Sequence, residues 1–145
     1  MIDELMRVVK AFHDAKGFPV MVPLAEKAIA LRSHLLKEEL GELIEAMEAG
    51  DEVAALDGAA DLLYVLIGTA VTFDWPLFEA FAEVHRSNMT KSVAQDRTHH
   101  PGKGKGYSPP NLKDLLERHK AARLSGSYQM WDQETQVRTQ KLGDH

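Results

Sequence analysis

The sequence predicts an all-α protein, and three observations carry that reading. Apolar residues recur at intervals of three and four, no run alternates as a strand would, and the breaks between periodic stretches hold Gly, Pro or Asp. A chain of 145 residues suits one domain with a real core, expected over residues 1–125, followed by a short helical or unstructured tail at 126–145.

Residues 2–14 place Ile2, Leu5, Met6, Val9 and Phe12 at helical spacing before the break KGFPVMVP. A second helix is expected over 24–49, with Leu36, Leu40, Leu43, Ile44 and Met47 as its apolar face and Gly50 ending it. A third covers 51–73 and is apolar nearly all round from Ala59 onward, the pattern of a helix enclosed by others. A fourth, 76–89, is expected to bury Leu77, Phe78, Phe81 and Val84, with Asp74 as N-cap and Pro76 in the first turn. Residues 91–110 are rich in Gly, Pro and Lys, and a loop of about twenty residues in a compact domain is usually functional or disordered. Asn111 then caps a fifth helix, and Met130, Trp131 and Val137 are the large apolar residues of the tail.

Composition narrows the function. The chain is 44% hydrophobic and 27% charged, ordinary for a soluble protein. Without cysteine it has no disulfide, thiolate metal site or thiol nucleophile, which fits a cytoplasmic setting. A net charge of −5 argues against binding a nucleic-acid polymer. The longest apolar stretch contains Asp57 and Asp61 and reads as too short and too charged for a membrane span. The segment MIDELMRVVK does not read as a signal peptide.

The run LLKEELGELIEAMEAGDEV gathers Glu38, Glu39, Glu42, Glu45 and Glu48 on the second helix, where like charges three and four apart repel. A solvated acidic stripe is one explanation. Asp61 supplies a second, because it is the only charge between residues 59 and 73, and Asp57 lies one turn earlier on the same face. A carboxylate on an enclosed helix is either paired with a base such as Arg32 or Lys37, or held on a metal. If the second and third helices pack antiparallel, Glu39, Glu42 and Asp61 meet in one pocket. Oxygen donors without His or Cys suit Mg²⁺ or Mn²⁺ rather than zinc.

EELGEL followed by DGAADLLYVLIGTA resembles the MazG-like all-α nucleoside triphosphate pyrophosphohydrolases, whose signature is E-E-x-x-E on one helix and E-x-x-D on the next. Glu38, Glu39 and Glu42 match the first element and Asp61 the end of the second. FAEVHRSNMTK and the loop ending YSPP look like the branch of phosphoribosyl-ATP pyrophosphohydrolase and the bacterial MazG-like dUTPases. The chain departs at position 58, where Gly58 replaces the first Glu of E-x-x-D beside Asp57. The resemblance therefore implies either Asp57 in that ligand role or a site with one carboxylate fewer. It also implies cleavage between the α- and β-phosphates of a nucleoside triphosphate such as dUTP, with phosphoribosyl-ATP as the alternative substrate. Glu39, Glu42, Asp61 and Asp57 would be metal ligands, while Glu38, with Glu39, would act on the attacking water. A helical module that binds metal or nucleotide without turnover is the reading from another class. Assembly as a homodimer or homotetramer is expected from the apolar third helix and from the resemblance.

A triphosphate also needs donors. Arg86, Asn88 and Lys91 stand at the end of the fourth helix, with Asn88 suited to a sugar or base and Lys91 to a phosphate, unless they form only a polar helix end. Lys103, Lys105 and Tyr107 resemble a lid that closes on phosphates, or else a solvated loop; GKGKG lacks the Walker spacing. Phe12, His13 and Phe18 are either a base pocket or aromatic core. His85 reads as structural, and His99 and His100 suggest no metal geometry.

Overall fold

The computed structural model describes residues 2–92 and 102–126, so the tail anchors Met130, Trp131 and Val137 and the loop histidines His99 and His100 lie outside the described residues. Five helices and no strand occur among the described residues, in two compact units divided between Trp75 and Pro76. The first unit holds α1 (Ile2–Lys16), α2 (Glu26–Glu48) and α3 (Glu52–Phe73).

An antiparallel hairpin of α2 and α3 is the main element of this unit. Gly50 ends α2 with φ 70°: its N–H donates to the Met47 carbonyl at 3.1 Å, and the Asp51 N–H reaches back to Ala46 at 3.0 Å. This is a Schellman termination, and glycine takes the left-handed position without a Cβ penalty. Asp51 immediately caps α3, its carboxylate accepting the Ala54 N–H at 3.0 Å. The register follows from two contacts, each joining positions equally far from the turn on the two helices of the hairpin: Arg32 to Thr69, and Leu43 to Gly58. Gly58 is buried against α2, and a Cβ there would stand 3.0 Å from Leu43 Cα.

The far half of α3 forms the core. Met6 and Val9 of α1 pack with Ile67, Ala70, Val71 and Phe73. The terminal carbonyls of α3, which have no partner inside the helix, are met by the segment after α1: the Met21 N–H donates to Val71 at 3.1 Å and the Val22 N–H to Thr72 at 2.8 Å.

Several sequence expectations change here. Asp74 is the left-handed C-cap of α3 rather than the N-cap of the next helix, and Pro76 is the N-cap residue itself. Only Ile67–Phe73 and Gly58 are buried along α3; Asp61 is exposed, as are Leu56 and Leu63. Leu40, Ile44 and Met47 of the expected α2 face are exposed too. Helical periodicity marks an apolar face but says nothing of what covers it. By length and mean hydropathy α3 is also long and apolar enough to cross a membrane, contrary to the sequence reading, although its last seven residues are buried inside the protein.

The second unit holds α4 (Leu77–Met89) and α5 (Leu112–Leu124). Asn111 caps α5 as expected, accepting the Asp114 N–H at 3.3 Å. Phe81, expected in the core, is 69% exposed. A set of bonds ties the segment before α5 to α4. Arg86 donates to both carboxylate oxygens of Glu83 at 2.9 and 2.8 Å, and to Ser108 Oγ and the Pro109 carbonyl at 3.1 Å each. Glu83 also accepts the Asn111 N–H at 2.9 Å. The Arg86 and Asn111 bonds hold the Glu83 carboxyl down at about 2, against an ordinary 4.5. A lowered carboxyl pKa adds stability above 4.5 that is lost as pH falls toward 2. The protection factor of the Asn111 amide is therefore expected to fall across that interval, and unchanged protection down to pH 2 would refute the clasp.

Candidate active site

All five motif carboxylates belong to the first unit. Glu38, Glu39 and Glu42 rise from α2 within little more than one turn, and Asp57 and Asp61 are one turn apart on α3. The hairpin register sets Leu43 against Gly58, which brings the turn of Glu39 and Glu42 opposite that of Asp57 and Asp61. Glu39 is half-buried and the other four are exposed. Burial raises the Glu39 carboxyl above its ordinary value, and the charges of Asp61, Glu42, Glu38 and Asp57 raise it further. Four like charges therefore converge on one carboxylate.

The pairing of Asp61 with a base, one of the sequence alternatives, is not what Arg32 does. Arg32 donates from Nε to Thr69 Oγ1 at 3.2 Å and from Nη2 to the Val65 carbonyl at 2.6 Å. Glu38 has His34 Nε2 at 4.0 Å, one turn back on the same exposed face. As the side chains stand, no three ligating groups among the described residues are close enough to hold an ion. The donor chemistry nevertheless fits a hard divalent cation: all oxygen, all anionic, and on side chains that are exposed save for the half-buried Glu39.

The raised pKa of Glu39 has a thermodynamic consequence. A group whose folded pKa is raised gives stability that is present below its unfolded value and is lost as pH rises through the folded one. In chelator-treated protein the melting temperature is expected to fall as pH rises just above 4.5, the ordinary value for Glu39. Glu39→Gln should remove that decline and raise the melting temperature at neutral pH by roughly 1–3 °C, since each relieved repulsion is worth a few tenths of a kcal/mol. A lower melting temperature in the variant would show that the cluster is not repulsive.

Beside the carboxylates lies a cavity of about 350 Å³. Glu39 and Asp61 line it together with Phe12, Phe18 and Tyr64, and with Arg32 and His13. Phe12 stacks on Phe18 at 5.8 Å between centroids and meets Tyr64 edge-on at 5.5 Å. Of the sequence alternatives for Phe12, His13 and Phe18, the pocket wall describes all three, whereas only His13 is buried: Phe18 is partly so and Phe12 is 38% exposed. Sequence reasoning missed Tyr64 and Arg32 as site residues. Both had a signal: Tyr64 follows Asp61 by three residues, and Arg32 precedes Glu39 by seven, each on the same helical face.

The other expected ligand-binding groups lie in the second unit. Asn88 is exposed and Lys91 partly so. Arg86 is held in the clasp with Glu83, so a phosphate would compete with those bonds. Lys103 Nζ lies 5.3 Å from the Tyr107 ring centre, and Lys105 is exposed. The described part of the loop is tied down at Ser92, whose N–H donates to the Gly102 carbonyl at 2.9 Å, and at Thr90, which accepts the Ser108 N–H at 2.8 Å.

A family model described as phosphoribosyl-ATP pyrophosphohydrolase matches residues 4–88, from α1 almost to the end of α4. No curated protein matches the chain.

Proposed function

Because the chain belongs to the phosphoribosyl-ATP pyrophosphohydrolase family, we propose that the α2–α3 carboxylates are the catalytic centre of a metal-dependent pyrophosphohydrolase that releases pyrophosphate from a nucleoside triphosphate. The observation carrying this reading is the Glu39 carboxylate, crowded by four others and lining the same cavity as three aromatic rings. Crowded anions fit a cation, and the aromatic walls fit a base.

Glu39, Glu42, Asp61 and Asp57 would hold Mg²⁺, or Mn²⁺ in its place. A bound divalent ion supplies phosphate charge neutralisation and an acidified water. The Glu38 carboxylate would orient the attacking water and take its proton. Phe12, Phe18 and Tyr64 would hold the base and exclude solvent from it. Asn88, Lys91, Lys103, Lys105 and Tyr107 are the proposed contacts to sugar and phosphates, with Arg86 available only at the expense of its clasp.

Pyrophosphate release from a panel of deoxynucleoside and non-standard triphosphates with Mg²⁺ tests the reaction. Release of orthophosphate would mean the wrong bond, and binding without any release would leave a non-catalytic module. Phosphoribosyl-ATP belongs in the panel as a second reading, favoured by the family match itself. Glu38→Gln should lower the rate by about 10²–10⁴-fold with metal affinity retained, as for loss of a general base. Calorimetry showing metal affinity lost in parallel would make Glu38 a ligand instead.

The exposed Val53, Leu56, Leu63 and Leu66 of α3, with Leu40, Ile44 and Met47 of α2, support assembly with further copies as a homodimer or homotetramer. Light scattering that gives a monomer at working concentration would remove that reading. An aqueous, cytoplasmic setting is proposed with it.

A further inference from the structure

Arg32 is 3% exposed and His13 is 2% exposed, yet neither is used up by the fold. Arg32 spends Nε on Thr69 and one Nη2 hydrogen on Val65, and Nη1 has no hydrogen-bond partner among the described residues. His13 Nδ1 lies 3.0 Å from the Pro19 carbonyl, which can only accept, so Nδ1 carries the proton. Burial lowers the His13 pKa, and the Arg32 charge adds to this against the opposing Pro19 bond, so the ring is neutral. Its Nε2 is then a bare acceptor, without a partner among the described residues. Both residues line the cavity that Glu39 and Asp61 also line. Their tips meet over Gly68, where a Cβ would stand 2.7 Å from Arg32 Nη2 and 2.8 Å from His13 Nε2.

Building on the nucleotide reading above, we infer that Arg32 and His13 recognise the lactam edge of a nucleobase, a carbonyl oxygen beside a ring N–H. The guanidinium donates to the carbonyl, and Nε2 accepts from the ring N–H. Uracil, thymine, hypoxanthine and guanine present that edge. With the base held in that same orientation, cytosine and adenine would turn an amino group to Arg32 and an unprotonated ring nitrogen to His13, donor against donor and acceptor against acceptor. A phosphate fits the pair poorly, because it has only acceptors to offer and Nε2 is one already. The stacked Phe12 and Phe18 rings and the edge of Tyr64 supply the apolar walls a base requires. The cavity volume falls at the lower end of the range for ligand sites, about 300–1,000 Å³. Gly68 is the position that allows both polar tips to share the spot.

Calorimetry with α,β-imido analogues in the presence of Mg²⁺ tests the inference on two matched pairs, dUTP against dCTP and dITP against dATP. The lactam member of each pair is expected to bind at least about fivefold tighter, the low end for a paired donor–acceptor contact to a base edge. Arg32→Lys and Gly68→Ala should each collapse that ratio toward one. A merely structural role would weaken both members of a pair alike and leave the ratio standing, as would a phosphate contact, and either outcome overturns the assignment. So would equal affinities in the wild type, a preference for dCTP and dATP, or no binding of any analogue. Catalysis is read separately: base preference without pyrophosphate release defeats the hydrolase reading alone, and release without base preference defeats this one alone.

Discussion

Glu42→Gln and Asp61→Asn are each expected to abolish pyrophosphate release while leaving helical content and melting temperature close to wild type. Both side chains are exposed, so neither amide replaces a packed group. Each removes a full negative charge from the cluster that raises the Glu39 carboxyl. Charge neutralisation by a bound ion contributes several kcal/mol to phosphoryl chemistry, so losing a ligand should lower turnover by at least about 10²–10³-fold. Near-wild-type hydrolysis by either variant at saturating Mg²⁺ would remove that residue from the ligand set. Loss of the fold would mean instead that these carboxylates are structural.

Gly58→Glu introduces the Glu that the sequence resemblance leads one to expect at this position, and it is expected to damage the protein rather than improve it. A Cβ at position 58 meets Leu43 Cα at 3.0 Å and Leu43 N at 3.2 Å, and backbone atoms inside a helix cannot step aside. Overpacking of this kind costs about 1–3 kcal/mol or more, so the melting temperature should drop by several degrees. Gly41 offers the control, since nothing among the described residues lies within 4 Å of a Cβ there. Gly41→Ala should be neutral or stabilise by up to about 1 kcal/mol. If Gly58→Glu were as stable as wild type and more active, the close helix crossing would be wrong and the site would be missing a ligand. The physical meaning of the departure is otherwise plain. Position 58 faces the α2 backbone, whereas Asp57, whose charge Glu39 feels, is exposed one residue earlier.

Much of the helical framework was legible because its signals are local. Gly50 as the end of α2 and Asn111 as the cap of α5 follow from dihedral freedom and a side-chain acceptor, and both stand as read. Asp74 shows the limit of such signals. An Asp before Trp-Pro suits the start of one helix as well as the end of another, and the left-handed turn that closes α3 took it. Phe81 shows another limit, since an aromatic residue at helical spacing reads as core whether or not anything covers it.

By itself the sequence determined the helix order, the acidic element of Glu38, Glu39 and Glu42 with its answering Asp61, and the family to which these belong. Those are matters of residue type and spacing, fixed by a period of 3.6 residues per turn. Only the tertiary structure decided that Asp61 faces solvent, that Gly58 is a crossing point, and that Arg32 is buried with no carboxylate partner among the described residues, beside a neutral His13. Burial and hydrogen-bond partnership come from residues distant in the chain. Thr69 and Val65 stand more than thirty residues from Arg32, and no local pattern records which of them it will meet.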